Sequence, residues 1–123
     1  MAFPLDDPDA AIERVQADVR AAQERAALAA EVKAALDRVR GHARSPRGEV
    51  TAEADPSGRL TGLQLADRAT DLAAPDLADL VVRTARDAAR EAGRRALAVT
   101  AEAFGEDSPV TEHLRGELTA RLR

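Results

Sequence analysis

At 123 residues the chain is one domain, or one small domain with tails, and its lack of cysteine excludes a disulfide framework or a thiolate metal site. Only 2% of residues are aromatic, Phe3 and Phe104, so a thin core of small side chains is predicted, with help expected from a second copy of the chain. The formal charge of −4 counts against strong unspecific attraction to nucleic acid, although arginine outnumbers lysine by 17 to 1.

Residues 1–8 read as a lead-in without the basic and apolar regions of a signal peptide. Asp7-Pro8-Asp9 supplies a helix start: an N-cap, a proline at the first helical position and an acid in the first turn. From there a helix is predicted to about Arg40, ending at Gly41 as a C′ residue. Ile12, Val15, Val19, Ala22 and Ala26 recur at alternating spacings of three and four, the pattern of a heptad seam. Leu28, Val32, Ala35 and Val39 form a second stripe, predicted to cover the sheet of the same chain. The first seam then seeks another helix, and self-association is the preferred partner.

His42 to Ser45 is a candidate first strand, with Pro46-Arg47-Gly48 as a bend. Residues 48–66 hold the clearest period-2 pattern, with Asp55-Pro56-Ser57-Gly58 as a β-turn in its middle. Closing the hairpin there sets Ala54 opposite Arg59, Ala52 opposite Thr61 and Val50 opposite Leu63. Val50, Ala52, Leu63 and Leu65 then share one face, and Glu49, Thr51, Glu53 and Gln64 the other. A lone hairpin is marginal in water, so both long helices are expected to cover it.

Asp67 to Ala74 is a connection with room for one helical turn. Pro75 opens a second long helix, predicted to Phe104 with Gly105 as its stop and with Leu77, Leu80, Val81, Thr84, Ala88, Ala92 and Val99 as its buried face. Ser108-Pro109 opens a short helix bearing Val110, Leu114, Leu118 and Leu122, free either to dock or to fray. The expected fold class is α+β: a long first helix, a small antiparallel sheet of two to three strands, a second long helix and a short terminal one, in a dimer. The expected divisions are a lead-in over 1–8, a domain over 9–105 and a helical extension over 106–123.

Signals for catalysis are weak. His42 and His113 are the only imidazoles, and Ser45, Ser57 and Ser108 occupy turn or cap positions. Asp6, Asp7 and Asp9 cluster at a helix start, where capping explains them better than metal ligation. The Ser57–Gly62 stretch has the wrong glycine spacing for a phosphate loop. No enzyme, cofactor, metal or small-molecule substrate is indicated, and no run of about 18 apolar residues offers a membrane span.

One constellation stands out. Arg83, Arg86, Arg90 and Arg94 fall within a narrow arc of the second long helix, where successive guanidinium groups can meet successive phosphates. The alternative is a solvated face, because Asp79, Asp87 and Glu91 lie three or four residues away. Arg38, Arg40, Arg44 and Arg47 form a second basic concentration. Without aromatic stacking platforms, any nucleic acid partner is predicted to be duplex and held by its backbone.

The stretches GEVTAEADPSGRLTGLQL (Gly48 to Leu65) and LADLVVRTARDAAREAGRR (Leu77 to Arg95) follow a long charged helix. Over roughly residues 9–100 this order resembles the YbaB/EbfC family of bacterial nucleoid-associated proteins, whose Leu-x-Asp-Leu-Val…Asp-Ala-x-Arg stretch the second segment matches. The alanine-rich first helix and the extension after Gly105 depart from the family pattern. The resemblance implies a tweezer-shaped homodimer that binds double-stranded DNA at the nucleoid, in the cytoplasm. It supplies no DNA-reading residue, so Arg83, Arg86, Arg90, Arg94 and, on the first helix, Arg14, Arg20 and Arg25 are candidates from the residues alone. A dimeric adaptor that holds a protein partner and binds little or no DNA is the competing reading.

Overall fold

The structure, a computed structural model, describes residues 7–121. Asp7 caps α1 (Pro8–Arg38): its Oδ1 accepts the amide hydrogens of Asp9 and Ala10 at 3.1 and 3.2 Å. There follow β1 (Gly41–Arg44), β2 (Val50–Ala54), β3 (Leu60–Leu65), a 3₁₀ turn (Asp67–Asp71), α2 (Ala74–Phe104) and α3 (Pro109–Arg121). This is the α+β architecture expected. The lead-in before Asp7 and the side chain of Leu122 lie outside the described residues. The chain divides into two units of internal contact between Lys33 and Ala34, inside α1.

In the first unit the seam is uncovered. Ile12, Val15 and Val19 are 54%, 61% and 50% exposed, and Ala22 and Ala26 are exposed as well.

In the second unit the strands form an antiparallel sheet in the order β1-β2-β3. The core joins Ala52 and Ala54 of β2 to Ala88 of α2, with Ala43 and Ala89 packed against it. Val50, Ala92 and Ala96 are buried too, whereas Leu77, Leu80, Val81 and Val99 are only half-buried. These small side chains let helix and sheet approach closely. Gly41 marks the limit: a Cβ there would stand 2.2 Å from both the Ala88 carbonyl oxygen and the Ala92 nitrogen. This corrects the reading of Gly41 as a helix stop. It is the first residue of β1 and has no positive φ; it is glycine because α2 lies against it. α1 ends earlier, with Arg40 Nη1 donating to the carbonyls of Asp37 and Val39 at 3.1 and 2.7 Å.

The hairpin corrects a second expectation. Val50 pairs with Leu65, Ala52 with Leu63 and Ala54 with Leu60, with a register shift between Glu53 and Ala54. The turn closes one residue later than predicted, since Asp55 N donates to Arg59 O at 2.9 Å, and the bulge adds a second residue of slip. Two slips restore Leu63, Gln64 and Leu65 to their predicted faces, while Leu60, before the bulge and displaced by one, stands opposite Ala54. Coverage of that face is narrower than expected, because α2 packs on β1 and β2. A helix about 10 Å across spans roughly two strands spaced about 4.8 Å apart. Leu63 and Leu65 therefore share the face of Val50 and Ala52 yet remain 42% and 47% exposed.

Gly41→Ala is expected to cost about 3 kcal/mol or more, the upper end of overpacking penalties, because the obstruction is backbone. Gly116, with nothing within 4 Å of a built Cβ, is the control. Gly116→Ala should be neutral or stabilising by up to about 1 kcal/mol. Urea unfolding of both variants checks the pair, and a neutral Gly41→Ala would remove the close approach as the reason for glycine.

Candidate nucleic-acid interface

The arginine row lies on the exposed side of α2 and is largely paired. Arg83 Nη2 lies 3.0 Å from Asp79 Oδ2, Arg90 Nη1 3.2 Å from Asp87 Oδ1, and Arg94 Nη2 2.9 Å from Glu91 Oε2. Glu91 also takes Arg95 Nε at 2.7 Å. Hydrogen bonds first from Arg95 and then from Arg94 hold its carboxyl below the usual carboxylate range. Three of the four row arginines thus adopt the solvated-face pairing. Arg86 differs: among the described residues no carboxylate lies within 4 Å of it. The same holds for Arg14, Arg20 and Arg25 in the first unit, all exposed on α1. In the second basic concentration, Arg40 is engaged with Glu53 at 3.6 Å and the Arg44 guanidinium lies against Gly48.

The terminal helix docks. Ser108 caps α3, its Oγ accepting the Thr111 amide at 3.1 Å, while Thr111 Oγ1 donates to the Gly105 carbonyl at 2.7 Å. Thr111 and Leu118 are buried, and α3 packs on α2. Gly93 and Leu97 of α2 face Leu118 and Thr119 of α3 across a cavity of about 430 Å³ lined also by Arg90, Arg94 and Arg115. Arg115 is engaged by Glu106 at 3.0 Å and by Glu112.

The far end of α3 reaches the hairpin turn. Arg121 Nη1 donates to Pro56 O at 3.0 Å, and Arg121 and Arg86 line one cavity of about 390 Å³ with Ser57, Gly58, Val82, Ala85 and Ala89. The turn itself is tightly bonded. Asp55 Oδ1 accepts from Ser57 Oγ at 2.6 Å and from the amides of Ser57 and Arg59, both at 3.0 Å, and Gly58 takes φ 90°. Arg121 escaped the sequence reading because only the apolar residues of the last helix were weighed. Its approach to Pro56, 65 residues away, depends on how α3 docks.

The two histidines sit beside carboxylates, His42 near Glu53 at 3.8 Å and His113 near Glu117 at 3.0 Å. Among the described residues no group of three or more metal-ligating side chains converges, and no helix is long and apolar enough to cross a membrane.

These features define a small α+β module that carries a row of arginines on the exposed side of α2. Residues 10–107 match the YbaB/EbfC DNA-binding family, and the chain belongs to that family. No curated protein and no solved structure matches it.

Asp55 offers a pH test of the turn. Hydrogen bonding, first from the Ser57 hydroxyl and then from backbone amides, with the Arg59 charge, lowers its pKa in the folded state. A lowered carboxyl pKa stabilises the fold above the unfolded-state value, and the contribution is lost as pH falls through the folded-state value. Asp55→Ala should therefore cost about 1 kcal/mol at neutral pH. The gap to wild type should narrow as pH falls below the usual carboxylate range, as read by thermal or urea unfolding.

Proposed function

We propose that the chain is a homodimeric nucleoid-associated protein of the cytoplasm that binds double-stranded DNA through backbone phosphates with little sequence preference. The carrying observation is the exposed arginine row Arg83, Arg86, Arg90 and Arg94 in a chain of a DNA-binding family. The ion pairs along the row do not oppose this reading. Exposed pairs are worth about 0–1 kcal/mol, so a phosphate can displace the carboxylate from a guanidinium that it meets bidentately. Arg14, Arg20 and Arg25 are candidates for the same role. The domain is taken as residues 9–105, with 106–123 as an extension.

The second copy is proposed to pack on Ile12, Val15, Val19, Ala22 and Ala26. Their exposure supports this, because a valine or isoleucine buried there gains about 1.5–3 kcal/mol relative to solvent. The same exposed seam, together with Leu63 and Leu65, favours as a second reading the adaptor that docks a protein partner.

A labelled duplex of random sequence, followed by fluorescence anisotropy at about 50 and about 200 mM salt, separates the two readings. Phosphate contacts make affinity fall steeply with salt, and replacing Arg86, Arg90 and Arg94 together by Ser should abolish binding without unfolding the chain. No binding at low salt sets the DNA reading aside in favour of the adaptor. Val19→Asp should convert a dimer to a monomer in analytical ultracentrifugation; a variant that still sediments as a dimer excludes the seam.

A further inference from the structure

We propose that the cavity between the hairpin turn, the middle of α2 and the end of α3 is a seat for one backbone phosphate of duplex DNA, held jointly by Arg86 and Arg121. This deepens the DNA-binding reading and rests on it. Three observations converge. Arg86, in the middle of α2, and Arg121, at the end of α3, come from two different helices, yet line the same cavity of about 390 Å³. Among the described residues neither has a carboxylate within 4 Å, whereas Arg90, Arg94 and Arg115, which line the neighbouring cavity, all do. The remaining lining is small or apolar: Gly58, Val82, Ala85 and Ala89, with Ser57 at the turn.

The chemistry of the lining fits a phosphodiester. Arg121 spends one donor on Pro56 O, which fixes the guanidinium against the turn and leaves its other N–H groups to a ligand. Arg86 is a second fork on a rigid helix, and two guanidinium groups beside an apolar floor attract an anion more strongly than either would in open water. The nearest acid of the turn, Asp55, is not part of the lining and is already occupied by Ser57 and Arg59. Arg121 lies beyond the residues that match the family. The terminal helix thereby contributes a cation to a surface otherwise built by α2.

The test compares wild type with Arg86→Ser, Arg121→Ser and the double variant in the anisotropy titration with random-sequence duplex. Each single variant should weaken binding. The double should be weaker by less than the product of the two single effects, because both side chains serve one phosphate. It should also lower the salt slope by about 0.9 per seat engaged, so the affinity ratio between 50 and 200 mM salt shrinks about 3.5-fold for one seat. Ser57→Glu places a carboxylate at the seat from a different element and should match the loss without touching α3. Arg115→Ser, on the same helix but outside the lining of the seat, should bind as wild type does.

Wild-type affinity for Arg121→Ser and Ser57→Glu, in a protein that binds duplex with a steep salt slope, overturns the seat and leaves the DNA reading standing. Fully multiplicative losses overturn the sharing of one phosphate. Absence of wild-type binding at 50 mM salt overturns the DNA reading, and the seat with it.

Discussion

The second unit depends on the close approach of β1 to α2 at Gly41. Ala88 and Ala92 present backbone rather than side chain to the strand, and the sheet answers with Ala52 and Ala54. Alanine-on-alanine packing gives a dense core, but each residue removes little apolar area from water. The geometry also limits coverage. A helix seated so closely over β1 and β2 leaves β3 without a lid, and Leu60, Leu63 and Leu65 stay open on the edge strand. Composition and exposure are thus one fact: a chain poor in large aromatics builds a thin core and carries its larger aliphatic side chains outside.

The charges follow a related logic. A net charge of −4 is a poor guide to local potential, because Asp79, Asp87 and Glu91 of α2 are committed to neighbours on the same helix. Glu91 is the clearest case, bridging Arg94 and Arg95 in a fork that favours its ionised form. Such pairs neutralise parts of the row at rest without locking it, since exposed ion pairs are weak and salt-sensitive. Arg86 and the arginines of the first unit stand outside this pairing among the described residues. At these positions an incoming phosphate, in the proposed DNA contact, would have no carboxylate to displace.

Local signals were legible in the sequence, and contacts between distant segments were not. Asp7, Ser108 and Gly105 acted at the helix ends as their residue types suggest, and the Asp55–Gly58 turn formed with the expected hydrogen bond. Alternation placed Val50, Ala52, Leu63 and Leu65 on one face even though the pairing slipped by two residues, since period 2 is blind to an even slip. Gly41 was misread because two physical causes select glycine, a helix end and a close approach, and only the tertiary contact tells them apart. The width of the helix relative to the sheet was likewise invisible. So was Arg121, whose partner lies across the fold. The arginine row was visible as an arc, but which of its members were paired required side-chain geometry.

The arrangement of α1 bears on whether self-association and DNA contact are compatible. An isolated amphipathic helix is marginal in water, so an uncovered seam of Ile12, Val15 and Val19 is a surface that pairing would stabilise. Advancing by about 100° per residue, Arg14 and Arg25 lie roughly 110° from the middle of that seam on one side and Arg20 roughly 120° on the other. A partner helix seated on the seam would therefore leave arginine on both flanks facing outward. In the proposed dimer the apolar contact and the arginines, interspersed with Glu13, Asp18 and Glu24, occupy different sides of one helix, so pairing would leave these charged side chains in solvent rather than bury them.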